Sequence, residues 1–184
     1  MKPNEMKSSD MERDIAQGMI LHTQLAQAAL EIMHTRGLYI AMAESCTGGL
    51  LSYHFTALSG ASQVFLGSMV SYANEIKHKW LNVKEADLQA YGAVSEPVVR
   101  AMCEGVLRES GADIALATSG IAGPSGGSAK KPVGSVYIGV QSRGSKMQEG
   151  KTIVSYNHFS GDRQSVQLQS CAKALEMLLT LLNS

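Results

Sequence analysis

The stretch that most constrains this chain is Ala43-Glu44-Ser45-Cys46-Thr47-Gly48-Gly49. The unbroken apolar run 38–43 leads into it and reads as a buried strand, and residues 50–58, apolar at helical spacing, lead out of it as a helix. A strand that passes through small and hydroxyl residues into a helix brings side chains and bare backbone N–H groups to one point. That geometry suits a nucleophile, an oxyanion or a phosphate. Ser45 and Cys46 each offer a nucleophile, and Gly48 and Gly49 let a ligand approach the backbone closely. The same letters also describe a plain strand-to-helix turn with an N-cap.

The rest of the chain supplies what such a unit packs against. Residues 1–12 are polar and read as a loose tail; residues 13–184 read as a single domain, within the usual size for one core. A helix is expected from Ile15 to Met33, closed by Gly37. A second strand follows over 64–72, where Gly67 hints at close backbone approach. Helices are expected over 73–80 and 84–90, and another opens at Ser95-Glu96-Pro97 with Ser95 as N-cap. A third strand over 113–119 runs into Gly120-Ile121-Ala122-Gly123-Pro124-Ser125-Gly126-Gly127. Residues 133–140 and 151–159 read as an antiparallel hairpin turning at Arg143-Gly144-Ser145, and Asp162 caps a last amphipathic helix. This order predicts a three-layer α/β/α sandwich with a mixed sheet and the hairpin at one edge.

Three polar, glycine-rich stretches, 44–49, 72–77 and 118–127, follow predicted strands. If those strands are parallel, the loops gather at the sheet edge where α/β proteins bind ligands. Composition narrows the ligand. Sixteen basic and 16 acidic side chains balance, so no global field draws nucleic acid or an anionic membrane. No apolar run approaches the ~20 residues of a membrane span, and the polar start lacks a signal peptide's apolar core. Cys46, Cys103 and Cys171 are dispersed, forming neither a metal pair nor a disulfide framework, which suits a reducing compartment. His22, His34, His54, His78 and His158 are scattered without zinc spacing and suit structural or surface roles. The reading is a soluble cytoplasmic protein with no metal-ligand cluster in its sequence.

Two motifs mislead. Gly123-Pro124-Ser125-Gly126-Gly127 spells a nucleophile elbow but lacks the helix that must follow, and Ser128-Ala129-Lys130-Lys131 spells S-x-x-K just before a helix-breaking Pro132. Elsewhere, a serine nucleophile needs a base, and no histidine lies in the three glycine-rich loops. Lys77 can serve if desolvation keeps it partly neutral, although a lysine there also suits a solvated surface. Tyr72 and Asn74 share its crevice if a helix starts near Ala73, and Lys79 should then point elsewhere. Cys46 competes with Ser45, but neighbours in an extended segment point oppositely, so only one faces the crevice. Arg163 either clamps a phosphate or carboxylate or forms an ion pair at a helix start.

With these residues assembled, the chain resembles the CinA C-terminal domain family, whose characterised members are nicotinamide mononucleotide deamidases. The matching stretches are Ala43–Gly49 as written above, Tyr72-Ala73-Asn74-Glu75-Ile76-Lys77, Gly92-Ala93-Val94-Ser95-Glu96-Pro97, Ser119 through Gly127, Lys131-Pro132-Val133-Gly134 and Phe159-Ser160-Gly161-Asp162-Arg163. The resemblance implies hydrolysis of the carboxamide of nicotinamide mononucleotide to nicotinate mononucleotide and ammonia, within pyridine nucleotide recycling. It implies Ser45 as nucleophile, Lys77 as general base and Tyr72 beside the reacting centre, with no cofactor. Substrate contacts are expected from Glu44, Thr47, Gly48, Gly49, Asn74, Thr118, Ser119, Gly120 and Arg163, with loop N–H groups holding the oxyanion or the phosphate. A homodimer or larger homo-oligomer is expected. Many members carry a further N-terminal domain resembling molybdopterin-binding proteins, and activities attributed to it are not carried over. An inactive paralogue that binds nucleotides in a regulatory role is the alternative; retention of Ser45, Tyr72 and Lys77 together favours the enzyme.

Overall fold

The computed structural model describes residues 8–144 and 150–184. Five strands form one mixed sheet in the order β2-β1-β3-β4-β5. Strand β1 (Ile40–Glu44) lies parallel to both β2 (Phe65–Val70) and β3 (Ile114–Gly120). Strands β4 (Ser135–Ser142) and β5 (Thr152–His158) continue the sheet antiparallel, as the expected hairpin.

The central strands are apolar on both faces because both faces are covered. Along β1, Ile40 and Met42 join one core and Ala41 and Ala43 the other; along β3, Ile114 and Leu116 alternate with Ala115 and Ala117 in the same way. The large side chains face α1 (Ser8–Arg36), α2 (Leu50–Thr56) and α6 (Arg163–Leu182). The alanines face α5 (Glu96–Ser110), which small residues let approach closely. At Gly139 of β4 a Cβ would come within 2.7 Å of Val99 and 2.9 Å of Cys103, so α5 crosses there against bare backbone. Helices α3 (Asn74–Leu81) and α4 (Glu85–Tyr91) pack beside α5. The result is the expected three-layer sandwich.

Its parallel strands decide where a site can form. Glu44, at the C-terminal end of β1, stands beside Val70 of β2 and Thr118 of β3. The loops that follow all three strands therefore leave from one edge.

Several local expectations change. Helix α1 begins at Ser8 rather than Ile15, because Met11 and Glu12 are good helix formers with no breaker before Gly18; polarity alone marks them as tail. Residues 1–7 of that tail, and Ser145 of the hairpin turn, lie outside the described residues. Ser95 occupies the N-cap of α5, but its hydroxyl donates to the Gly92 carbonyl at 2.8 Å instead of capping the helix. Gly67 has no close neighbour where a Cβ would sit; its φ of 153° accompanies the register shift that skips Leu66. Asp162 caps α6 as expected, accepting from the Ser165 N–H at 2.8 Å. Among the described residues no helix is long and apolar enough to cross a membrane.

Candidate active site

Strand alternation sorts the residues of the β1–α2 loop before any contact is considered. Glu44 and Cys46 take the side of Met42, toward α2 and α6; Ser45 takes the side of Ala43, toward α3. Glu44 is fully buried, and Oε2 accepts from Thr47 Oγ1 (2.7 Å), Gly49 N (2.9 Å) and Leu51 N (3.1 Å). Its Oε1 accepts from Ser52 N (2.9 Å) and Ser68 Oγ (3.0 Å). Gly49 caps α2 without a side chain, so the Glu44 carboxylate satisfies the helix's first N–H groups in its place. Thr47 Oγ1 and Thr118 Oγ1 lie 2.8 Å apart, tying the loop to β3. A turn closed by Gly48 N–H to Ser45 O (3.2 Å) completes the loop, with Gly48 and Gly49 at φ of 62° and 102°, conformations that glycine adopts without strain.

Lys77, from the first turns of α3, fills the space beside Ser45. It is 0% exposed, and its Nζ lies 3.0 Å from Ser45 Oγ, 2.6 Å from the Ser71 carbonyl and 3.2 Å from the Tyr72 carbonyl. Burial pulls its ammonium down to a pKa of about 8, with a smaller opposing pull from Cys46. Cys46 goes the other way: burial pushes its thiol up to about 12, which leaves it a thiol at neutral pH. Lys79 is exposed, as its spacing requires.

Ser45, Cys46, Tyr72, Lys77, Ser119, Gly120 and Arg163 line a cavity of about 210 Å³; both neighbours reach it, where only one is expected to, because the chain leaves the strand at Glu44 and turns through 45–48, although Cys46 stays buried. Arg163, the first residue of α6, crosses its mouth: Nη1 donates to the Gly123 carbonyl and Nη2 to Tyr72 Oη, both at 2.9 Å. Ser119 Oγ donates to the Ala93 carbonyl at 2.8 Å and holds the loop before α5 against the cavity.

Of the residues singled out in the sequence, those seven converge. Glu44, Thr47, Gly49 and Thr118 instead form the network behind Ser45, Gly48 donates its N–H to Ser45 O, and Asn74 opens α3 exposed to solvent. Four further residues were missed. Ala93, Val94 and Ala122 also line the cavity, but small apolar side chains carry no chemical signal. Gln167 of α6 reaches the Cys46 carbonyl with Nε2 at 2.8 Å, a contact that no spacing announces. The misleading motifs stay apart from the site: Ser125 is exposed, and Ser128 and Lys131 close a turn on each other at 2.8 Å. His22 and His54 meet as a buried pair, Nδ1 to Nε2 3.1 Å, away from the cavity.

Residues 22–182 match the family model of the CinA C-terminal domain. The chain belongs to the CinA C-terminal domain family. Among similar family proteins is the nicotinamide-nucleotide amidohydrolase PncC of Enterobacter agglomerans, 43% identical over 85% of this chain and 94% of its own length. A CinA-like protein of Syntrophomonas wolfei is 48% identical over 77% of this chain, which spans only 33% of that longer CinA relative. The solved structure of a competence/damage inducible protein from Agrobacterium tumefaciens superposes with a TM-score of 0.84 at 36% identity, covering 89% of this chain and 96% of its own. The CinA domain fold is thus shared.

Proposed function

We propose that this protein hydrolyses the carboxamide of nicotinamide mononucleotide, with Ser45 as nucleophile and Lys77 as general base. The observation that carries the proposal is the fully buried Lys77 Nζ, 3.0 Å from Ser45 Oγ. A neutral amine has two hydrogens and one lone pair. The Ser71 and Tyr72 carbonyls accept the two hydrogens, so the lone pair is left facing the Ser45 hydroxyl. Ser45 Oγ attacks the amide carbon as Lys77 takes its proton. The developing oxyanion lies against the N–H groups of Cys46 and Thr47, which follow the nucleophile in its turn. Collapse expels ammonia, protonated by the Lys77 ammonium, and leaves a nicotinoyl ester on Ser45; water, deprotonated by the same lysine, releases nicotinate mononucleotide.

Arg163, oriented by Tyr72 Oη and the Gly123 carbonyl, faces the anionic part of the substrate. The similarity to PncC supports the choice of nucleotide, and the three free, buried cysteines accord with work in the cytoplasm. The test is direct: purified protein incubated with nicotinamide mononucleotide should release ammonia and nicotinate mononucleotide in equal amounts. Binding without release would leave a nucleotide-binding module instead.

A further inference from the structure

Gln167 stands four residues beyond Arg163 on α6, and its amide leaves the helix to reach the nucleophile loop. Nε2 donates to the Cys46 carbonyl at 2.8 Å, joining segments 121 residues apart. We propose that Gln167 is a positioning residue: it holds the peptide unit after the nucleophile so that the Thr47 N–H stays aimed at the oxyanion. This rests on the reaction proposed above.

The Cys46 carbonyl and the Thr47 N–H belong to a single planar trans unit and point in opposite directions. Whatever fixes the carbonyl on the α6 side fixes the N–H on the other. The closing bond of the turn, Gly48 N–H to Ser45 O, spans this unit without touching it, and the middle peptide is the part of a turn that is free to rotate. Thr47 resists a complete flip, which would force a β-branched residue to positive φ. Resisting a flip does not set the tilt. Gln167 supplies the missing restraint, and by donating to the carbonyl it polarises the N–H on the opposite side of the same unit.

The position of Gln167 adds a second element. It also lines an adjoining cavity of about 670 Å³, which shares Ala122 and Arg163 with the catalytic one. A ligand extending from one cavity into the other meets the side chain that aligns the loop.

The test is steady-state kinetics with nicotinamide mononucleotide on Gln167→Leu and Gln167→Met, which remove the donor at similar bulk, and on Gln167→Lys, which keeps one. The expected result is a kcat lower by about 10- to 100-fold in the Leu and Met variants, KM within about twofold, and substantial recovery in the Lys variant. Thermal melting identifies a variant that fails to fold, and either apolar variant suffices. A wild-type kcat in a folded apolar variant, or a loss confined to KM, overturns the proposal. Should the wild type not hydrolyse this nucleotide, the rate at which a fluorophosphonate modifies Ser45 replaces kcat, because its phosphonyl oxygen needs the same donors. Slower modification in Gln167→Leu then supports the positioning role although the substrate assignment has failed, and an unchanged rate overturns it. A wild type that neither hydrolyses nor labels overturns both.

Discussion

Lys77 Nζ sits 3.0 Å from Ser45 Oγ, with no part of the lysine exposed. Its pKa of about 8 predicts the pH profile: kcat/KM should rise about tenfold per unit up to pH 8 and level off above, as the amine loses its proton. An acid limb centred near the ordinary 10.5 would contradict the buried base.

The same shift has a stability counterpart. In the unfolded chain Lys77 stays protonated up to 10.5, whereas in the fold it releases its proton at about 8. Between those values the unfolded state binds more protons, so stability rises with pH. Below 8 the full cost of burying the charge is present. Denaturant melts at pH 7 and pH 10 should show the wild type gaining on Lys77→Met by up to about 3 kcal/mol. A pH-independent difference would mean that the lysine is not desolvated.

Glu44 predicts a structural loss. In Glu44→Gln, one acceptor oxygen becomes an NH₂ donor facing either the Thr47, Gly49 and Leu51 donors or the Ser52 and Ser68 donors. Destabilisation of about 3 kcal/mol is expected from the lost charge-assisted bonds and the donor–donor clash. A thermal melt unchanged from wild type would remove Glu44 from the role of loop anchor.

Tyr72 and Arg163 should affect binding before chemistry. Tyr72→Phe removes the hydroxyl that accepts from Arg163 Nη2, and a rise in KM of about 3- to 10-fold with a smaller change in kcat is expected. Arg163→Ala should raise KM further, by about 100-fold, because the anionic end loses its charged partner. Kinetics showing kcat falling alone in both variants would place them on the reacting atoms instead.

The buried His22–His54 pair predicts acid sensitivity independent of activity. Burial, and then the neighbouring His22, lower the His54 pKa to about 4 from 6.5. Its contribution is therefore complete above pH 6.5 and is lost as pH falls toward 4, at up to about 1.4 kcal/mol per unit. His54→Phe should flatten the stability–pH curve in that interval; an equally steep curve in the variant would assign the acid limb to other groups.

The layers were legible because apolar periodicity reports which faces are buried, and β1 and β3 alternate large and small residues as a twice-covered strand must; the strand order was not, since periodicity says nothing of which strands pair. The convergence of Ser45, Tyr72 and Lys77 on one cavity was legible because each lies in a polar stretch that follows a predicted strand, and parallel strands bring such stretches to one edge. Glu44 was misassigned for the same reason: a carboxylate beside a nucleophile looks like a ligand contact, and only the position of α2 shows that its oxygens are taken up by the helix start. His22–His54 and Gln167–Cys46 join segments 32 and 121 residues apart, which local pattern cannot report. The start of α1 was missed because polarity resembles disorder when helix propensity is not weighed against it.

The central claim is that Ser45, and not the adjacent Cys46, attacks the amide. Ammonia release from nicotinamide mononucleotide by Ser45→Ala and Cys46→Ala, side by side with wild type, tests it most directly. Ser45→Ala is expected to fall to background, while Cys46→Ala, which removes a buried thiol with a pKa pushed up to about 12, keeps a rate within about tenfold of wild type. Wild-type turnover in Ser45→Ala, or a dead Cys46→Ala beside it, would contradict the account.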